Sequence, residues 1–141
     1  MADDPYDLER FVAAQAPVIE RVAAELAQGR KAGHWMWFVF PQFAGLGASA
    51  LSQRFAIGSR HEAVAYLAHS VLGRRLCMLT SLVVSQPGSA NDIFGSPDDM
   101  KFRSCMTLFA AVGDDPIFQR GLDRFFAGKP DTVTLALLDG T

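Results

Sequence analysis

Apolar residues recur at helical spacing along most of the chain, and each periodic run is bounded by a start or a stop. Leu8, Phe11, Val12 and Gln15 fall on one face after Asp3, Asp4 and Pro5. Beyond Pro17 the period continues through Val18, Ile19, Val22, Ala23 and Leu26, with Glu20, Arg21 and Glu25 opposite, until Gly29 offers a left-handed end. Ser59 with Glu62 reads as a capping box for a helix through Leu67, and Val71, Leu72, Leu76, Leu79 and Val83 mark a longer helix ending at the Gln86-Pro87-Gly88 turn. Ser96-Pro97-Asp98-Asp99 is the clearest start: serine at the cap, proline in the first helical position and two carboxylates at the positive end of the macrodipole. Phe102, Cys105, Met106, Phe109 and Val112 then share a face, closed by Gly113. Asp115-Pro116 opens a further helix through Phe125 and Phe126 to Gly128, and Asp131 caps a last one carrying Val133, Leu135 and Leu138.

Two stretches are ambiguous by period. Gly33 to Gln42 reads as a short buried strand or a short helix stopped by Pro41, and its helical surroundings favour helix. Phe43 to Ser52, with Gly45 and Gly47, reads as a turn leading into a short helix. Thr132 to Thr134 has strand propensity, but a lone strand has nothing to pair with. The pattern therefore predicts an all-α fold, one compact orthogonal bundle of about six to eight helices spanning residues 1–141.

Composition agrees with a folded chain: half of the 141 residues are hydrophobic and 20% are charged, ample apolar surface to offset ordering entropy. The longest apolar stretches, Trp35 to Phe40 and Leu82 to Val84, fall well short of the roughly 18 residues that a membrane span needs, so no membrane role is expected. The acidic start, Met1-Ala2-Asp3-Asp4, lacks the basic residues and apolar run of a secretory leader, which predicts a cytoplasmic protein. Cys77 and Cys105 have neither metal-ligand spacing nor a disulfide framework and read as buried thiols in a reducing compartment. His61-Glu62 would begin a zinc-protease motif only if histidine replaced Ala65, and His69 lacks further ligands, so no metal and no cofactor are expected.

Charge changes the picture once it is split along the chain. Between Arg30 and Arg75 six basic residues face Glu62 alone, a net of +5, whereas the remainder carries seven basic residues against fourteen acidic ones, a net of −7. The basic segment also holds Trp35, Trp37, Phe38, Phe40, Phe43, Phe55 and Tyr66. Cations beside aromatic rings are what a nucleotide-like anion requires, the phosphate neutralised and the base stacked, although core filling and helix-end charges explain the same residues. Trp35 and Trp37 stand about 200° apart on a helix, so one indole faces the core and the other a groove. Asp98, Lys101 and Ser104, spaced by three, form a polar stripe, read either as part of a site or as a solvated face with an ion pair.

These readings nominate Asp98, Lys101 and His34 as candidate catalytic groups, and Arg30, Lys31, Trp35, Trp37, Gln42 and Ser104 as candidate ligand contacts. The expected partner is an anionic, nucleotide-like small molecule. The alternative is an interaction module with an aromatic groove for a partner helix or peptide. Nucleic acid is disfavoured because a chain of pI 5.8 repels a long polyanion.

Asp7 to Phe11, Gly29 to Gln42, Leu46-Gly47, Tyr66 to His69, Leu72 to Leu76 and Ile93 to Phe109 together resemble the domain of unknown function 1810 family of small bacterial proteins, some labelled calpastatin. The resemblance spans nearly the whole chain and implies an all-helical fold with no established activity. Nothing in the chain resembles a calpain-inhibitor repeat. Cys105 stands where the resemblance expects serine, so no hydroxyl role is expected there. A shorter likeness, Asn91 to Gly95 leading into a helix, is similar to the all-helical NAD and ADP-ribose processing family, where tryptophan-glycine takes the place of Phe94-Gly95. It points to the same class of ligand.

Overall fold

Helix starts and stops are places where orphaned backbone groups find partners, and in the computed structural model most of the expected signals do this. Residues 3–141 are described; Met1 and Ala2, which open the acidic start, lie outside the described residues. Ten helices form among them: α1 Glu9–Gln15, α2 Ile19–Ala27, α3 Met36–Val39, α4 Ala50–Arg54, α5 Arg60–Ala68, α6 Leu72–Val84, α7 Ala90–Phe94, α8 Asp98–Val112, α9 Ile117–Phe126 and α10 Thr132–Asp139. The fold is all-helical, with ten helices instead of the expected six to eight: α3 and α4 fall in the two stretches with an ambiguous period, and α7 is a single turn too short to show one. Gly33–Gln42 resolves into helix at α3. Among the described residues no strand forms, and no single helix is long and apolar enough to cross a membrane.

Ser59 Oγ accepts from Glu62 N at 3.0 Å, Asp115 Oδ1 from Ile117 N at 2.9 Å, and Asp131 Oδ2 from Thr134 N at 3.3 Å. Gly29 ends α2 at φ +76°. Two expectations are corrected. The Ser59 cap is one-sided, because Glu62 accepts from Gly58 N and pairs with Arg10 instead of returning to Ser59. Ser96 caps nothing: Pro97 takes the cap position, and Gly95 O and Pro97 O already receive the Asp99 and Lys101 amides. The reciprocal capping box lies one helix earlier, where Ser89 Oγ accepts from Asp92 N and Asp92 Oδ2 from Ser89 N, each at 3.0 Å.

α8 is the central element, packed against α5, α7, α9 and α10. Its Phe102, Cys105, Met106 and Phe109 are fully buried, while Val112 is half-buried at the end of the stripe. Aromatic rings knit the core: Phe40 meets Phe94 and Phe102 edge-on, and Tyr66 lies between Phe11 and Phe109. α5 and α6 meet at 85°, and Gly73 permits the turn, since a Cβ there would sit 2.1 Å from Leu67 O. Val133 is corrected too: it is 53% exposed, because Thr134 and Leu138, four residues apart, are the positions of α10 that face inward. Cys105 is buried, whereas Cys77 is half-exposed and donates its thiol proton to Asp115 Oδ2 at 3.6 Å. Burial and the Asp115 carboxylate push that thiol up to about 11.

Arg10 ties distant segments together. Its guanidinium donates to the carbonyls of Tyr6 and Asp7 on its own segment, to Arg54 O at the end of α4 and Ala56 O beyond it, and to Glu62 Oε2 at 2.8 Å on α5. The stretch it holds completes a lone parallel bridge, Ile57 N to Gln42 O at 2.9 Å and Ala44 N to Ile57 O at 2.8 Å.

Candidate functional site

The loop between α2 and α3 is built around one carboxylate. Glu25 Oε1 accepts from Ala32 N at 2.7 Å, Gly33 N at 3.0 Å and Trp35 Nε1 at 2.9 Å. Burial pushes the Glu25 pKa up, but the three donated hydrogen bonds outweigh it and the group lies below its ordinary value. The Trp35 ring is thereby fixed in the core at 2% exposure. Lys31 is held from the other side, its amide donating to Ile93 O at 2.7 Å and its ammonium to Gly33 O at 2.7 Å. That places Lys31 Nζ 2.9 Å from Asp98 Oδ2 at the first turn of α8.

Asp98 lies between two lysines, since its Oδ1 faces Lys101 Nζ at 3.5 Å. The two cations differ. The Lys31 side chain is 10% exposed and spends its charge on Asp98, whereas Lys101 is 25% exposed, is held more loosely and rests 5.6 Å above the Trp37 ring. Lys101 therefore carries the more available charge of the pair.

Two hollows adjoin at Lys101. The inner one, about 130 Å³, is lined by Met36, Trp37, Gln42, Phe43, Phe55 and Lys101 among others. The outer one, about 300 Å³, is lined by Gln42, Leu46, Met100, Lys101, Ser104 and Asp131. Gln42, Gly47 and Lys101 border both, making one stepped cleft between α3, the turn after it, α8 and the start of α10. Ser104 Oγ donates to Asp131 Oδ2 at 3.0 Å, and Thr134 donates to the same oxygen through both its amide and its hydroxyl. Burial raises the Asp131 pKa, but these hydrogen bonds and one from Val133 N overcome it, so the group is a carboxylate below its ordinary range. Asp131 also lines the outer hollow.

The structure thus brings Lys101, Trp37, Gln42 and Ser104 together on one cleft, with Asp98 and Lys31 behind them. Three nominated residues stand apart. Trp35 is buried beneath the loop and presents no face to a ligand. His34 is exposed and borders neither hollow, because Glu25 draws in the amides and indole on either side of it and leaves its ring outward. Arg30 is also exposed and outside the cleft: its amide is spent on Glu25 O at 3.0 Å, which turns the side chain away as the chain leaves Gly29. Asp131 was not nominated. Its sequence signal, an aspartate before a helix, announces a cap and says nothing of the α8 serine beside it. Among the described residues no group of three or more His, Cys, Asp or Glu is placed to hold a metal ion.

A family model described as "Protein of unknown function (DUF1810)" matches residues 5–138. The chain belongs to this family. The solved structure of the conserved hypothetical protein Rv1873 from Mycobacterium tuberculosis has 53% identity to the chain and a TM-score of 0.96, covering 98% of this chain and 100% of that one. No curated protein matches the chain. The DUF1810 assignment supports the resemblance read from the Trp35–Trp37 and Phe94–Asp99 segments and attaches no activity to the cleft.

Proposed function

We propose that the stepped cleft binds an anionic, nucleotide-like small molecule, of the ADP-ribose class in its combination of phosphate, sugar and ring. The observation that carries this reading is the placement of Lys101 and Gln42 at the step shared by both hollows, with an aromatic ring on one side and a carboxylate acceptor on the other. Lys101 would neutralise phosphate, the Trp37 indole would lie against a planar ring, and the Asp131 carboxylate on the outer hollow would accept from sugar hydroxyls. Asp98 has an ammonium at each oxygen, so its part is to position Lys101 rather than to take a proton. The outer volume of about 300 Å³ lies at the small end of the range for ligand sites. The free thiols Cys77 and Cys105 suit a cytoplasmic setting.

The test is a thermal-shift screen of the full chain against nucleotides, ADP-ribose and sugar phosphates. A ligand at 100 times its Kd should stabilise the fold by about 2.7 kcal/mol. Lys101→Ala should keep the melting temperature, since a loose surface ion pair contributes at most about 1 kcal/mol. It should weaken binding by about 1.5–3 kcal/mol, the contribution of a charged hydrogen bond. No shift with any of these ligands refutes the reading. Met100 and Val133, 48% and 53% exposed beside the outer hollow, favour the second reading, in which a partner peptide covers this rim.

A further inference from the structure

We infer that the inner hollow takes a single six-membered ring bearing an amide edge, so that a nucleotide enters base-first and leaves its phosphate at the step beside Lys101; this rests on the reading above. Size comes first. A cavity of roughly 150 Å³ accommodates a benzene ring, so the 130 Å³ here suits one ring and excludes a fused pair. Chemistry comes second. Met36, Trp37, Phe43 and Phe55 make much of the wall apolar, beside Ser52 and Gln53, and such a wall would strip water from a phosphate without fully replacing it, while Lys101 also lines the wider outer hollow. An anion is therefore better served outside and a flat neutral ring inside.

Gln42 supplies the specificity. Its backbone carbonyl is taken by Ile57 N at 2.9 Å, which fixes the residue, and its side-chain amide has no hydrogen-bond partner among the described residues. A primary amide offers a donor and an acceptor side by side, the complement of a lactam or carboxamide edge. Lys101 adds a coupling: its ammonium covers the Trp37 ring at 5.6 Å, and a phosphate that draws it outward would clear that face for the ring. Two kinds of molecule share this chemistry, pyrimidine nucleotides and pyridine-carboxamide nucleotides.

Calorimetric titration of the full chain with UMP, nicotinamide mononucleotide, GMP and ribose 5-phosphate tests the inference. One or both single-ring nucleotides should bind at least tenfold more tightly than GMP and ribose 5-phosphate, and the tighter of the two identifies the source. Gln42→Met, which keeps the shape and removes the amide, should erase that gap while leaving the melting temperature unchanged. If GMP or ribose 5-phosphate binds as tightly as both single-ring nucleotides, or if the gap survives Gln42→Met, the inference is overturned and the phosphate site stands. If none of the four binds, the reading beneath it falls too.

Discussion

Removing the Glu25 carboxylate should cost more than its half-exposed position suggests. Three N–H groups converge on Oε1, and their fates in Glu25→Ala differ. Ala32 N is exposed and Gly33 N half-exposed, so water replaces the lost acceptor and the two together forfeit about 0.5–1.5 kcal/mol. Trp35 Nε1 belongs to a ring with 2% exposure, and stranding that donor costs about 1–3 kcal/mol. The expected destabilisation is about 2–4 kcal/mol in urea unfolding, with the m-value unchanged. A double-mutant cycle with Trp35→Phe locates the cost, because once the indole donor is gone Glu25→Ala should lose less. The same carboxylate makes a pH prediction. Its folded pKa lies below the unfolded value, so its contribution is fully present above about pH 4.3 and is lost as pH falls through the folded pKa. Glu25→Ala should show a shallower acid loss than the parent chain in that window. A destabilisation under about 0.5 kcal/mol, additive with Trp35→Phe, would refute the picture of one carboxylate holding the loop.

The two tryptophans should separate: Trp35→Ala should lower stability by about 3–5 kcal/mol in urea unfolding, whereas Trp37→Ala should cost clearly less and instead abolish the fluorescence response to ligand. Equal losses of stability would contradict the burial difference. The two serines should separate as well, Ser89→Ala costing about 1 kcal/mol through its capping box and Ser96→Ala staying within about 0.5 kcal/mol. A reversed order in thermal melts would place the cap of α8 back on Ser96.

What the sequence made legible follows from the range of each signal. Caps and apolar stripes are local, so Ser59, Asp115, Asp131 and the Phe102–Phe109 face could be read directly. Ser96 misled because a serine before proline matches the cap pattern whether or not its amide partners are free, and here Gly95 O holds the Asp99 amide. Ser89 and Asp92 carried an equally good pattern three residues apart, but the turn before them and the shortness of α7 hid it. For the cleft, the spacing of Asp98, Lys101 and Ser104 fixed a shared face, whereas the helical offset expected of the tryptophans does not apply, since Trp35 is the non-helical residue before α3 and its indole is held by Glu25. Net charge could not say which cation turns inward. That choice is made by hydrogen bonds across the fold, the Lys31 amide to Ile93 O and the Arg30 amide to Glu25 O, and Asp131 reaches Ser104 only once α8 and α10 have packed.

The Arg10 clamp gives the cleft a remote hinge pin. Phe55 and Ala56 form part of the inner wall, and the guanidinium that grips Arg54 O and Ala56 O is anchored on a segment more than forty residues earlier in the chain. The first turn of α1 and the wall should thus open as one cooperative unit, with amide protons from Ala56 to Gly58 exchanging in step with those at the start of α1. A change at Arg10, far from any ligand atom, would then surface as faster ligand escape rather than as a lost contact. Searches for residues that tune this cleft should extend to the amino-terminal helix.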